Sequence, residues 1–115
     1  MKNFFYLETC NTCQRILKEL NLPSTVQLRE IKSAPLDGEE VDRLAQKAGG
    51  YEAIFSKRAR KFRALGLHEK ALGEKDYRHY LLEDYTFLKR PVLETSDLAI
   101  PGNSKKAVEA MKSAL

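Results

Sequence analysis

Long apolar runs are missing from this sequence of 115 residues. Its apolar runs, of which Phe4 to Leu7 is typical, stay far below the roughly 20 consecutive apolar residues that span a bilayer. That N-terminal run ends at Glu8 and is also too short for the hydrophobic region of a secretory signal. We therefore expect no transmembrane segment and no membrane partner, and we predict a cytoplasmic protein.

Side chains that could hold a metal are also few. The chain has two cysteines, Cys10 and Cys13, and two histidines, His68 and His79. Their spacing matches no standard zinc finger, so we expect no metal site. The histidines have no catalytic triad around them and are interpreted as surface or packing residues. Two thiols in a C-x-x-C pair favour redox chemistry in the cytoplasm, and the alternative is a pair of small packing residues.

The sequence contains no internal repeat and no low-complexity tract. Hydrophobic residues make up 43% and charged residues 31%, which is close to the average of globular proteins. The length suits one core, so we predict a single domain over residues 1–115. Twenty basic and sixteen acidic side chains give a net charge of +4, which favours anionic partners without requiring nucleic acid.

The hydrophobic periodicity predicts an α/β protein. The predicted elements are, in chain order, a strand at 4–7, a helix from residue 10 to 20, a strand at 26–31, a helix capped by Asp37 and Glu40, a helical turn at 51–55, a basic segment at 57–67, a helix capped by Asp76, a hairpin of strands at 91–93 and 98–100, and a helix after 102–104. Two strands joined by a helix imply a parallel βαβ unit. The terminal ββα unit completes a mixed four-stranded sheet. This is the thioredoxin-like, glutaredoxin-type plan with a helical insertion between the two units.

The two cysteines have different predicted environments. Cys10 lies where the first strand gives way to a helix, and unpaired N–H groups at a helix start favour a thiolate. We therefore predict that Cys10 is a nucleophile. Cys13 lies one turn later, on the apolar face that also contains Ile16 and Leu20, so we expect it to be more buried and to act as the resolving thiol.

Arg90 and Pro91 precede the predicted third strand, where a proline suits the first position because it cannot donate to the ladder. A cis bond between them would aim the Arg90 guanidinium across the sheet. Arg90 is then either an anion clamp beside Cys10 or a solvated arginine at the entrance of a strand.

A basic segment lies in the middle of the chain. It places five cations in seven residues, namely Lys57, Arg58, Arg60, Lys61 and Arg63. Such a run is most often a solvated face, and the alternatives are a rim for an anionic substrate or a surface for an acidic partner. Phe62 alone is too little aromatic character for single-stranded nucleic acid, so we expect no direct nucleic-acid binding.

Three segments resemble the ArsC family, which contains glutaredoxin-linked arsenate reductases and the Spx-type regulators of RNA polymerase. The segments are Thr-Cys-Asn-Thr-Cys at 9–13, Phe-Ser-Lys-Arg at 55–58 with Leu-Gly-Leu at 65–67, and Leu-Lys-Arg-Pro-Val-Leu at 88–93. The resemblance extends over nearly the whole chain. It implies the thioredoxin-like fold with a helical insertion, and a cis peptide bond between Arg90 and Pro91.

The resemblance also implies a set of substrate-binding residues. In the arsenate reductases of this family three arginines surround the oxyanion, and an arginine fork suits such a ligand. Arg90 matches the arginine that precedes the proline, whereas Ser56 and Asn103 stand at the other two positions. Lys57 or Arg58 could replace the first of these, so the predicted substrate-binding residues are Arg90, Pro91, Lys57 and Arg58.

We therefore expect an arsenate-reductase-like, thiol-dependent reductase with the catalytic residues Cys10, Cys13 and Arg90. Its substrate would be a small anion or a disulfide, and no cofactor would be bound. The expected reductant is glutathione, whose carboxylates suit the segment 57–63, with glutaredoxin or thioredoxin as protein partners. The alternative that the resemblance implies is a Spx-like, non-enzymatic regulator, in which the C-x-x-C pair is a disulfide switch and the partner is the RNA polymerase α subunit.

Overall fold

The computed structural model describes residues 2–115. Within them lie four strands and five α-helices: β1 (Asn3–Tyr6), α1 (Asn11–Leu20), β2 (Gln27–Glu30), α2 (Gly38–Ala48), α3 (Arg60–Ala64), α4 (Glu74–Glu83), β3 (Val92–Glu94), β4 (Ala99–Pro101) and α5 (Lys105–Ala114). Short 3-10 helices occupy Glu52–Ile54, Leu67–Glu69 and Tyr85–Phe87. The chain divides into two compact units. The sheet unit comprises the described residues up to Pro35 together with Arg90–Leu115, and the helical unit comprises Leu36–Lys89. The single domain stays a prediction.

The sheet unit has the predicted α/β topology. Its strand order is β2-β1-β3-β4. Strands β1 and β2 are parallel, and the β1–β3 and β3–β4 pairs are antiparallel. Phe4 of β1 lies opposite Leu28 on one side and Leu93 on the other. The parallel pair is the product of the βαβ unit and the antiparallel pair is the terminal hairpin, so the mixed four-stranded sheet is confirmed.

Helices α1 and α5 share one core with the sheet. The buried members of this core are Phe4, Ile16, Leu20, Val26, Leu93, Val108 and Met111. An ion pair between Lys112 Nζ and Glu19 Oε2, 2.8 Å long, joins the two helices at the surface. The apolar residues whose spacing predicted α1 therefore form the face of the helix that packs into this core. Asn21, with a φ of 47°, ends α1 in the left-handed conformation.

The strand predicted at 26–31 is shorter in the structure, and its apolar residues are not all buried. Val26 and Leu28 alternate in sequence, and a strand over 26–31 would place both on one buried face. In the structure β2 covers only Gln27–Glu30, Val26 is buried, and Leu28 is 53% exposed. Val26 precedes the strand, in a turn closed by its N–H on the Pro23 carbonyl at 3.0 Å. The direction of its side chain is therefore not set by the pleat of β2.

The hairpin also contains an unexpected residue. Glu94 was placed by its polarity in the connection between the two strands, but it belongs to β3 and is fully buried. Asn3, its partner across the sheet, donates an Nδ2–H bond to Glu94 Oε1 at 2.9 Å. A carboxylate can enter the sheet here because a neighbouring strand supplies a donor.

The helical unit begins with a predicted cap. Asp37 accepts a hydrogen bond from the N–H of Glu40, whose own side chain accepts one from the N–H of Asp37. This reciprocal pair starts α2, and Gly49 ends it at a φ of 100°, where the absence of a Cβ avoids strain. The core of the unit is aromatic. The ring of Phe55 lies 4.9 Å from that of Tyr77 and 5.1 Å from that of Phe87.

The start of α4 corrects another prediction. Asp76 does not cap this helix, since Gly73 is the N-cap and α4 begins at Glu74. Asp76 is the third helical residue, and its Oδ2 accepts from the N–H of Gly73 at 2.8 Å. The carboxylate still binds an otherwise unpaired donor of the first turn, but it does so from inside the helix. Tyr77 and Leu81 of this helix are buried, whereas Tyr80 is half-buried.

None of the helices within residues 2–115 is long and apolar enough to cross a membrane.

Candidate active site

The first candidate residue, Cys10, occupies the N-cap position of α1. Its backbone is extended, with φ −90° and ψ 111°. A turn delivers it from β1, because the N–H of Cys10 donates to the carbonyl of Leu7 at 3.1 Å. The carbonyl of Cys10 then accepts from the N–H of Gln14 at 3.1 Å, as the first bond of the helix. The thiol is half-buried and therefore reachable from solvent.

The surroundings of Cys10 favour its ionised form. Burial raises the pKa of Cys10, but the backbone N–H and the thiol of Cys13 outweigh it. The Arg90 guanidinium and the N–H of Thr12 act in the same direction, and the pKa lies below its usual value. The sulfur makes no full capping hydrogen bond, so these groups act by proximity and orientation at the start of the helix.

Cys13 has the opposite environment. It is fully buried on the inner face of α1. Burial raises the pKa of Cys13 to about 11, and the neighbouring Cys10 raises it as well, against the lowering effects of Leu7 and Arg90. Both cysteines are free thiols in the structure. The pair therefore combines a half-buried thiol that ionises more readily than usual with a fully buried thiol, one turn later, that keeps its proton.

Arg90 and Pro91 belong to the same unit as the two cysteines. The peptide bond between them is cis, which confirms the prediction from the family resemblance. Pro91 is buried directly before β3, and its carbonyl accepts from the N–H of Gly102 at 2.8 Å. The positive charge of Arg90 lies near enough to both sulfurs to lower the pKa of each, although burial of the thiols acts against it.

Lys57 and Arg58 belong to the helical unit. Lys57 Nζ lies 2.5 Å from Glu52 Oε2 and 5.7 Å from the centroid of the Tyr77 ring, and the Glu52 carboxylate raises the pKa of this lysine. Its charge is therefore paired within its own unit. Arg58 is exposed. Their contribution to substrate binding stays a prediction.

The sequence reasoning missed two side chains that hold the turn before Cys10. Glu30, the last residue of β2, accepts a hydrogen bond from the N–H of Glu8 at 3.0 Å. Gln14 donates from its side-chain amide to the carbonyl of Glu8, also at 3.0 Å. The position of Gln14 one turn after Cys10 was a usable signal, since residues four apart on a helix are neighbours. The position of Glu30 gave no such signal, because it depends on strand pairing.

Within the described part of the chain, no group of three or more His, Cys, Asp or Glu side chains is arranged to hold a metal ion. His79 lies on the exposed side of α4 with its Nε2 3.4 Å from Glu83 Oε1. His68 is also exposed, and its Nε2 lies 3.7 Å from Glu69 Oε1.

A thioredoxin-like sheet with a cysteine pair at the start of its first helix defines the class of this protein. The helical segment inserted between the βαβ and ββα units is the feature that the resemblance to the ArsC family implied. The chain belongs to the ArsC family, whose model matches residues 5–111. The comparison with curated protein sequences found no significant match.

Solved structures share the fold over almost their whole length. An arsenate reductase from Vibrio cholerae is 18% identical, with a TM-score of 0.80 over 99% of this chain and 97% of the other. A protein from Bacteroides fragilis described as related to the ArsC family is 22% identical, with a TM-score of 0.79 over 96% of each chain. A possible arsenate reductase from Streptococcus mutans is 24% identical, with a TM-score of 0.74 over 96% of this chain and 97% of the other.

Proposed function

We propose that this chain is a thiol-dependent reductase of the arsenate-reductase type, in which Cys10 attacks the substrate, Cys13 resolves the product and Arg90 stabilises negative charge. The observation that carries the proposal is the contrast between the two thiols. Cys10 is accessible at the N-terminal end of α1, and Cys13 is buried one turn behind it. A nucleophile and a resolving thiol need this difference, because only one of them is required as a thiolate at the first step.

The chemistry begins with the Cys10 thiolate. With arsenate, its sulfur bonds to arsenic(V) and displaces one oxygen as hydroxide or water. The Cys13 thiol then loses its proton and attacks the sulfur of Cys10, which breaks the sulfur–arsenic bond. The bonding electron pair stays on arsenic, so arsenic(V) becomes arsenic(III), leaves as arsenite, and the two cysteines become a disulfide. With a disulfide substrate the same two attacks release two thiols.

The proton on Cys13 fits this order of events. Burial keeps the pKa of Cys13 at about 11, so the second thiol does not compete for the substrate at neutral pH. The negative charge on Cys10 also disfavours a second thiolate beside it. When the sulfur of Cys10 bonds to the substrate, that charge is lost and ionisation of Cys13 becomes easier. The resolving step is therefore coupled to completion of the first step.

Arg90 is the cation of the proposed site. Its charge already favours the Cys10 thiolate against the effect of burial. A planar guanidinium can also donate two parallel hydrogen bonds to a tetrahedral oxyanion. The relatives whose descriptions include arsenate reductase support an oxyanion as substrate. We propose that glutathione reduces the disulfide, directly or through glutaredoxin or thioredoxin, and that the protein works in the cytoplasm.

The test is arsenate-dependent oxidation of NADPH, coupled through glutathione, glutathione reductase and glutaredoxin. A parallel assay uses thioredoxin and thioredoxin reductase. We expect turnover that disappears in Cys10→Ser and falls in Cys13→Ser, with mixed disulfides accumulating in the second variant. The matched control is Ser113→Ala, at an exposed position of α5. Folded, reduced protein that shows no turnover with either system, on arsenate or on a small disulfide, would refute the proposal.

A second candidate function is a redox-sensing regulator without enzymatic activity. The proximity of Cys10 and Cys13 supports it, because each thiol lies close enough to alter the pKa of the other and oxidation would join the two in a disulfide. In this candidate the disulfide would change the affinity for the α subunit of RNA polymerase, as the Spx branch of the family implies. Binding of the dithiol and disulfide forms to that subunit would be compared by titration calorimetry. Equal or absent binding in both forms would exclude it.

A further inference from the structure

The turn between β1 and α1 is held from two sides by side chains. Its own backbone supplies one bond, from the N–H of Cys10 to the carbonyl of Leu7 at 3.1 Å. Inside this turn, the N–H of Glu8 donates to Glu30 Oε2 and the carbonyl of Glu8 accepts from Gln14 Nε2, each at 3.0 Å. We refer to Glu30 and Gln14, bound to the backbone of Glu8, as the Glu8 clamp.

Glu30 is itself held in place by the chain that follows it. Its other carboxylate oxygen, Oε1, accepts from the N–H of Lys32 at 3.0 Å, from the N–H of Ser33 at 2.7 Å and from the hydroxyl of Ser33 at 2.8 Å. The N–H of Glu8, and after it the donors of Ser33 and Lys32, lower the pKa of Glu30 to about 2. The carboxylate is therefore ionised at neutral pH and can only accept hydrogen bonds. Four donors converge on one half-buried side chain, which fixes its orientation.

Gln14 connects the clamp to the helix that begins at the reactive cysteine. The N–H of Gln14 donates to the carbonyl of Cys10, while its side chain reaches back to the carbonyl of Glu8. Only Thr9 separates Glu8 from Cys10, so a shift of the Glu8 backbone would be transmitted directly to the thiol. The clamp therefore joins three segments at one point: the end of β2, the turn after β1 and the first turn of α1.

We propose that Glu30 and Gln14 are positioning residues, and that the Glu8 clamp holds the reactive thiol of the proposed reductase in its place at the start of α1. This inference rests on the proposed function, in which Cys10 is the nucleophile. Neither side chain reacts. Their effect passes through the backbone, because the orientation of the sulfur toward the N–H groups of Thr12 and Cys13 depends on where the turn ends.

Removal of the Glu30 carboxylate changes the reactivity of Cys10 in opposite directions, depending on whether Glu30 acts by positioning the turn or only by its charge. A carboxylate near a thiol disfavours the thiolate, so removal of the charge of Glu30 would by itself make Cys10 more reactive. Loss of positioning has the opposite effect, because the sulfur would move away from the groups that stabilise its charge. In Glu30→Gln, only one acceptor oxygen remains and the amide nitrogen cannot accept from an N–H group, so the side chain can no longer hold Glu8 and the Lys32–Ser33 segment at the same time, with little change in volume.

The experiment measures the pH dependence of alkylation of Cys10 by iodoacetamide in the reduced, full-length protein. Peptide mass spectrometry separates Cys10 from Cys13. The variants are Glu30→Gln, Gln14→Ala and the double variant, and a melting curve establishes that each is folded. Alanine is the strongest helix former, so Gln14→Ala removes the amide without weakening α1. The matched control is Glu19→Gln, which removes a carboxylate paired with Lys112 at the other end of the same helix.

We expect both single variants to shift the alkylation profile of Cys10 to higher pH and to slow the reaction at pH 7 by about threefold or more, since the rate follows the thiolate fraction. The double variant is expected to be no slower than the slower single variant, because both side chains hold the same backbone segment. Glu19→Gln is expected to match the unaltered protein.

Unchanged or faster alkylation of Cys10 in folded Glu30→Gln would overturn the inference, and so would an additive double variant. If Glu30→Gln does not fold, the result for Gln14→Ala decides. A different result would refute the proposed function: Cys10 of the unaltered protein would already titrate like a free thiol, with a pKa of about 8.5.

Discussion

Asp42 of α2 and Arg78 of α4 form a two-point ion pair in the helical unit. Arg78 Nε lies 2.7 Å from Asp42 Oδ1, and Nη2 lies 3.3 Å from Oδ2. The hydroxyl of Tyr51 donates to Oδ1 of the same carboxylate at 2.6 Å. One side chain thus connects α2, α4 and the segment that follows α2. This arrangement predicts how the helical unit responds to acid.

We expect Asp42→Asn to lower the melting temperature at pH 7 by a few degrees. Arg78 and then Tyr51 lower the pKa of Asp42, so its carboxylate stabilises the fold at pH values above the unfolded pKa of about 3.9. This stabilisation is lost as the pH falls through the lower pKa of the folded state. Melting curves from pH 7 to pH 2 should therefore converge for the variant and the unaltered protein at the acid end. A constant difference in melting temperature at every pH would contradict the prediction.

Asp84 gives a second prediction, which separates a helix cap from an ion pair. Asp84 Oδ1 accepts from the N–H of Thr86 at 2.9 Å, at the start of a 3-10 helix, and its other oxygen pairs with Lys61. Burial raises the pKa of Asp84, but Lys61 and Thr86 lower it to about 2. Asp84→Ala should cost about 1 kcal/mol of unfolding free energy for the lost cap alone.

Asp84→Asn is the matched control, since it keeps an oxygen for the cap and loses the charge. We expect it to lie between Asp84→Ala and the unaltered protein in urea unfolding at pH 7. The contribution of the charge is complete above about pH 3.9 and disappears as the pH falls toward 2. If the two variants are equally destabilised, the cap contributes nothing and the ion pair is the whole effect.

The third prediction concerns Arg90 and the reactive thiol. Burial raises the pKa of Cys10 and the charge of Arg90 opposes that effect. Arg90→Met should therefore move the alkylation profile of Cys10 to higher pH, whereas Arg90→Lys should retain most of the shift. Arg15→Met is the control on α1, because Arg15 is exposed and lies near Glu19, at 3.9 Å. Equal profiles for Arg90→Met and Arg15→Met would mean that the guanidinium does not act on the thiol.

The fourth prediction tests the aromatic core of the helical unit. The ring of Phe55 packs against three others, those of Phe62, Tyr77 and Phe87. Phe55→Ala should lower the free energy of unfolding by roughly 3–5 kcal/mol, because it leaves a cavity among these rings. Leu65→Ala, at a position that is 52% exposed, should change it by less than about 0.5 kcal/mol. Similar losses in the two variants, measured by urea unfolding, would show that Phe55 is not central to this core.

Local signals predicted most elements because their causes lie within a few residues. The box of Asp37 and Glu40 starts α2, and the periodicity around Ile16 fixes the inner face of α1. The exceptions have neighbours that are distant in sequence. Glu94 is polar and was assigned to a connection, yet Asn3 on another strand makes its burial possible. Leu28 is apolar but lies exposed on the edge strand β2.

The candidate site shows the same division. The C-x-x-C spacing and the change from strand to helix periodicity placed Cys10 at a helix start and Cys13 on a buried face, because both depend only on backbone hydrogen bonds and the helical repeat. Arg90 lies eighty residues further along the chain, and Glu30 is separated from Glu8 by twenty-two. Whether Arg90 comes close to Cys10, and Glu30 to Glu8, depends on which strands pair and in which register. The sequence alone therefore determined the two thiols and their order on the helix, and only the tertiary structure decided which charged side chains surround and support them.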